Sequence, residues 1–134
     1  MHHPITPCFC SCLRKRWNNP PLTEKPFQPI TPFVSSDRGN GIVSDIVLVE
    51  LCWMLARSYE LLRADIARTV HALLDNASIA LESPTAVKSA LVYFEAGSAD
   101  FPDCLIVAKA GQVGCSHTLS FDKRMGLLPG VQLL

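Results

Sequence analysis

No stretch of this 134-residue chain approaches the roughly 18–20 continuous apolar residues of a bilayer-spanning helix. Its beginning also lacks the apolar core, about 7–15 residues long, of a secretory signal. A cytoplasmic protein with no membrane partner is the expectation. Charge is sparse, at 18% of residues, and formally cancels. No basic run is long enough to attract nucleic acid by electrostatics alone. The six cysteines do not form the framework of a small secreted domain. Cys52 and Cys104 fall inside apolar helical patterns, where reduced, buried thiols are expected.

Apolar material is plentiful: hydrophobic residues make up 49% of the chain, enough for one core in one domain of this size. The zero net charge hides an asymmetry. Residues 1–41 carry five Lys/Arg against two acids, Glu24 and Asp37, whereas 42–134 carry seven against ten. An acidic domain binds nucleic acid when a divalent ion sits between carboxylate and phosphate.

The character of the sequence changes near Gly39-Asn40-Gly41. Seven of the ten prolines and three of the six cysteines precede that point, with no helical or alternating apolar period. Prolines at this density interrupt helices and central strands, so 1–41 reads as an irregular, disordered segment. Cys8, Cys10 and Cys12 invite a zinc reading. Structural zinc sites use Cys-x2–4-Cys pairs with a second pair elsewhere, and His2 and His3 fit no such arrangement, so the cluster reads as incidental. The basic group 14–16 beside Trp17 reads as a solvated charge cluster rather than an RNA contact.

From residue 42 the periodicities become regular. A short strand at 42–43 leads through Ser44, a candidate N-cap, into a buried helix from about Asp45 to Tyr59. Apolar residues at 62, 66, 70, 73 and 74 predict an amphipathic helix ended by Asn76. A strand at 78–81 is followed by Ser83-Pro84, a cap with proline in the first turn. That third helix carries Val87, Ala90, Leu91 and Phe94 on one face and stops at Gly97. A fourth apolar helix spans 103–110. Strands are expected at 117–121 and 131–134. Strands alternating with helices predict an α/β sandwich around a parallel sheet.

Within this frame three acids lie in apolar surroundings. Glu50 is the only charged residue between Ile46 and Ala56, and burying an unpaired carboxylate costs several kcal/mol. Asp103, with Asp100 just before it, opens an apolar helix. Asp122 follows a strand, at the edge where open α/β sheets form their sites. Each acid also has a plain structural reading: Glu50 paired with Arg57 or Arg68, Asp103 as a helix cap, Asp122 as a turn residue. Taken jointly, the set predicts carboxylates converging on Mg2+ or Mn2+, which activates water and neutralises a phosphodiester.

These residues resemble a known family. Segments 43–55 (VSDIVLVELCWML), 99–108 (ADFPDCLIVA), 118–122 (TLSFD) and 128–134 (LPGVQLL) occur in the order and spacing of the PIN domain. Specifically, the chain resembles the VapC-type toxin ribonucleases of prokaryotic toxin–antitoxin pairs. It implies a three-layer α/β sandwich over 42–134, with a short parallel sheet flanked by helices. Glu50, Asp103 and Asp122 become catalytic metal-site acids, with Asp100 and Ser120 in support. It further implies Mg2+ or Mn2+ dependence, hydrolysis of RNA phosphodiesters by a metal-activated water, homodimers, and a VapB-like antitoxin.

One departure accompanies the resemblance. The family opens with an apolar central strand ending in an aspartate, and residues 1–41 show no such strand. Asp37 follows only Phe33-Val34. This segment reads as replaced sequence, as a frameshift, a misassigned start or a rearrangement would produce. The alternative function is therefore a catalytically impaired remnant that retains only dimer or antitoxin binding.

Overall fold

A computed structural model describes residues 8–9 and 41–134. Eight of the elements in it fall where the sequence pattern places them: β2 (Gly41–Val43), α1 (Asp45–Arg57), α2 (Arg63–Asp75), β3 (Ile79–Leu81), α3 (Pro84–Ala96), α4 (Phe101–Gln112), β4 (Thr118–Ser120) and β5 (Val131–Leu133). A 3-10 turn at Met125–Leu127 links the last two strands. The cap residues explain the boundaries. The Ser44 hydroxyl accepts from the Val47 amide at 3.3 Å, supplying a partner for one of the four exposed amides of the first turn. Asn76 ends α2, and its side-chain oxygen accepts from the Ser78 amide. α4 closes on Gly114, whose φ of +81° suits glycine; Cys115 then donates to the Ala110 carbonyl at 3.0 Å, the wrap that commonly ends a helix.

Among the described residues all strand pairs are parallel, and they form two small sheets rather than one. β2 pairs with β3, with Ile42 opposite Ala80. β4 pairs with β5, with Leu119 opposite Gln132. Within the segment read as irregular, Cys8–Phe9 forms β1 and runs parallel to β4. The other early features, including Cys10, Cys12, Asp37 and the basic group 14–16, lie outside the described residues.

With three-residue strands, the helices carry most of the burial. α3 and α4 form the centre of the core, where Val87, Ala90, Leu91 and Phe94 meet Phe101, Cys104, Leu105 and Ala108. The Phe94 and Phe101 rings meet edge to face at 5.8 Å, a favoured aromatic geometry. α2 adds Ile66, Ala67 and Val70, and α1 adds Leu48 and Cys52. Among the described residues no helix is long and apolar enough to cross a membrane.

Leu91 is almost wholly buried, so Leu91→Ala leaves a cavity in the α3–α4 seam. The expected cost is about 2–5 kcal/mol. Urea unfolding checks it as a lower midpoint at an unchanged slope.

Candidate functional site

The site is built outward from an arginine. Arg63, the first residue of α2, directs its guanidinium across to the end of α3 and the loop leading into α4. It donates to the Phe94 carbonyl at 2.5 Å and the Ala99 carbonyl at 2.9 Å, and more weakly to Ser98 at 3.4 Å. Its carbon centre also lies 4.0 Å from the centroid of the Phe94 ring, a cation–π contact. Helix C-termini leave carbonyls unsatisfied, and a cation there is favoured by the helix dipole. The clamp fixes the segment from which Asp100 and Asp103 emerge.

Asp100 sits at the N-cap of α4, and Asp103 lies in its first turn. The helix starts at Phe101, not at Asp103, so Asp103 is not the cap. Its side chain is buried, with the residue only 3% exposed. Asp122 follows β4. Its Oδ1 accepts from the Arg124 amide at 2.9 Å, which realises the turn role open to it from sequence. The Arg124 guanidinium reaches both acids, 3.6 Å from Asp122 Oδ2 and 3.9 Å from Asp100 Oδ2. Ser120 is fully buried; its hydroxyl accepts from the Asp122 amide at 3.0 Å and donates to the Met125 sulfur. One corner therefore gathers Asp100, Asp122 and Ser120, with Asp103 on the same helix turn as Asp100.

Glu50 stands apart. The expectation that it is buried is corrected: its residue is exposed, and it makes no hydrogen bond or ion pair among the described residues. Neither suggested partner is used, since Arg68 pairs with Asp65 at 2.6 Å. The reason is helical geometry. α1 turns Asp45, Leu48 and Cys52 inward, and a residue two places from Leu48 is rotated about 200° away. The outward side is nonetheless apolar: Ile46 is 76% exposed, Val47 54% and Trp53 43%. An apolar stretch thus gave no guide to which side faces the core. Among the described residues, no three His, Cys, Asp or Glu side chains gather as a metal site.

The buried carboxylate of α1 is Asp45 instead. It accepts from the Ser83 hydroxyl at 2.8 Å and pairs with the Lys109 ammonium, which also reaches the Ser83 oxygen at 3.3 Å. Ser83, expected to cap α3, makes no side-chain cap bond; its hydroxyl is committed to Asp45. The Asp45 amide donates to Glu82 at 2.7 Å. This cluster joins the starts of α1 and α3 to the end of α4. Burial pushes the Asp45 carboxyl up, but hydrogen bonds from Lys109 and Ser83 and the lysine charge together hold it below the usual aspartate range. Lys109 is raised, chiefly by its bond to Asp45. The available signal was Lys109, the lone cation of a largely apolar helix. Burial pushes the Cys52 and Cys104 thiols up to about 12, so neither is a nucleophile at neutral pH. Cys115 is disulfide-bonded.

Asp45 is depressed in the folded state, so its contribution to stability is complete above about pH 4 and is lost as the pH falls further. Lys109 is raised, so its share is complete up to about pH 10 and is lost above that. Asp45→Asn is expected to lower Tm at neutral pH and to flatten the acid side of the Tm–pH curve. Calorimetric scans between about pH 3 and pH 7 check both.

Comparison with known proteins fits this architecture. The family model of the PIN domain matches residues 23–130, beginning upstream of β2. A VapC ribonuclease of Aquifex aeolicus (strain VF5) is 28% identical over 90 residues, which cover 66% of this chain and 67% of that protein. No solved structure matches. With the match extending over most of its length, the chain belongs to the PIN domain family and is, at family level, a PIN-type nuclease.

Proposed function

We propose that this chain is an endoribonuclease of the VapC kind, hydrolysing RNA phosphodiesters, with Glu50, Asp103 and Asp122 as its working acids. The supporting observation is the corner at the start of α4. There buried Asp103 adjoins Asp100, whose carboxylate shares the Arg124 guanidinium with Asp122. The similarity to a VapC ribonuclease supports RNA as the substrate. A VapB-like antitoxin, a homodimer and a cytoplasmic setting belong to the same proposal.

Mg2+ or Mn2+ is the ion proposed for the site, on the chemistry of hard carboxylate donors. The described side chains alone do not complete such a site: no three of them gather to hold a metal, Asp100 and Asp122 meet at an arginine, and Glu50 makes no contact with them. Within the chain itself, Ser120 holds the Asp122 backbone. Arg63 fixes the approach to Asp100 and Asp103. Arg124 supplies positive charge where an anionic substrate would arrive.

A second reading has its own observation. Exposed Ile46 and Val47 on α1, with no acid trio gathered among the described residues, suit a remnant that binds a second copy or an antitoxin without turnover. Metal-dependent cleavage by this chain eliminates that reading.

The deciding experiment incubates purified full-length protein with single-stranded RNA in Mg2+ or Mn2+. Cleavage is expected, with complete loss in EDTA. Asp103→Asn is expected to lower kcat/KM by roughly a hundredfold or more, the scale of losing one electrostatic group at a reaction centre. Equal cleavage in EDTA, or by a folded Asp103→Asn protein, sinks the proposal.

A further inference from the structure

A cleft of about 380 Å³ opens beside the acid corner, between the C-terminal half of α1 and the start of α4. Three arginines line it, Arg57, Arg63 and Arg124, against a single carboxylate, Asp100. In a chain of zero formal charge this is a local concentration of positive charge. The three cations are not equivalent. Arg63 is committed to the Phe94, Ser98 and Ala99 carbonyls. Arg124 is held by Asp100 and Asp122. Arg57 is exposed and makes no ion pair among the described residues.

Arg57 ends α1, and Trp53 lies one turn before it. At 100° per residue, Glu50, Trp53 and Arg57 fall within about 60° of one another. The exposed stripe of α1 therefore runs from a proposed working acid, past a half-exposed indole, to an arginine with no carboxylate partner among the described residues. Every nucleobase has a face that stacks on an aromatic ring, and a neighbouring cation takes the phosphate. An acidic peptide would be drawn to the arginines but would make no comparable use of a flat indole. The charge and the aromatic surface together favour RNA.

We infer that this cleft is an RNA subsite, in which Trp53 stacks on a base next to the cleaved linkage and Arg57 binds a backbone phosphate. The inference rests on the ribonuclease reading above and names the residues that hold its substrate.

The test measures equilibrium binding in EDTA, where cleavage is not expected to interfere. A fluorescein-labelled single-stranded RNA oligonucleotide is titrated with the full chain and followed by anisotropy. Trp53→Ala is expected to weaken binding by about tenfold or more, the range for losing one stacked base, with Trp53→Phe restoring most of it. Arg57→Gln is expected to weaken binding by several-fold. It should also reduce the slope of log K against log salt by about 0.7, the value for one single-strand phosphate contact. Arg57 is exposed, so Arg57→Gln should melt like the unaltered protein; Trp53→Ala removes a half-buried indole, so its binding is read at a temperature where its own melt shows it folded.

Affinity and salt slope unchanged in both Trp53→Ala and Arg57→Gln would overturn the inference. So would failure of the unaltered chain to bind the oligonucleotide. Binding that depends on both residues, in a protein that never cuts RNA in Mg2+ or Mn2+, upholds the subsite and defeats the nuclease reading. The two failures are distinguishable.

Discussion

The arrangement of the acid corner depends on where α4 begins, and that is set by one guanidinium. Arg63 comes from the first turn of α2, a position the helix dipole disfavours for a cation. It is placed there because three carbonyls lie across from it, at the end of α3 and in the following loop. The Phe94 and Ala99 carbonyls are part-buried at this helix junction, where a buried group that loses its donor costs about 1–3 kcal/mol. Asp100 and Asp103 take their positions from this junction, and Arg124 meets Asp100 only because the junction holds still.

The same helix is fixed at its other end by a different charge. Lys109 joins Asp45 and Ser83 near the end of α4, about 13 Å along the axis from Asp100 at 1.5 Å per residue. α1 consequently runs antiparallel to α4. Its start meets Lys109, and its end faces Phe101 and Pro102 across the cleft. Two polar contacts therefore set both the angle of α1 and the opening of the cleft, while the apolar seam between α3 and α4 supplies the burial. The short parallel strands contribute direction more than stability.

This division explains which features were legible in the sequence. Helix ends are local: Ser44, Asn76, Pro84 and Gly97 each act within a few residues, and the observed boundaries follow them closely. The inward face of α3 was legible because Val87, Ala90, Leu91 and Phe94 repeat at helical spacing against polar neighbours. α1 has no such contrast. With Ile46, Val47 and Trp53 on one side and Leu48 and Cys52 on the other, its apolar content does not reveal a face, and the exposure of Glu50 could not be read from it. The contacts that position the site, Arg63 to Ala99 and Lys109 to Asp45, join residues 36 and 64 apart. No local pattern encodes such partners. The order of Asp100, Asp103 and Asp122 was visible in the sequence, but the arginine between two of them was not.

That arginine changes what carboxylate proximity means. Two acids on one loop-and-turn junction repel unless a cation lies between them, and in this chain Arg124 fills the role for Asp100 and Asp122. At 3.6 and 3.9 Å, with the guanidinium half-exposed, these are loose, solvated contacts of the kind worth about 0–1 kcal/mol. Such an interaction orients side chains without locking them. Any other cation entering the corner competes with Arg124 for the same oxygens, and any arriving phosphate competes with those oxygens for Arg124. In the function proposed above, a substrate phosphate that draws the guanidinium toward itself would free both carboxylates. The weakness of the pair therefore suits the proposed function, in which the corner exchanges partners, whereas a buried, bidentate pair would resist it.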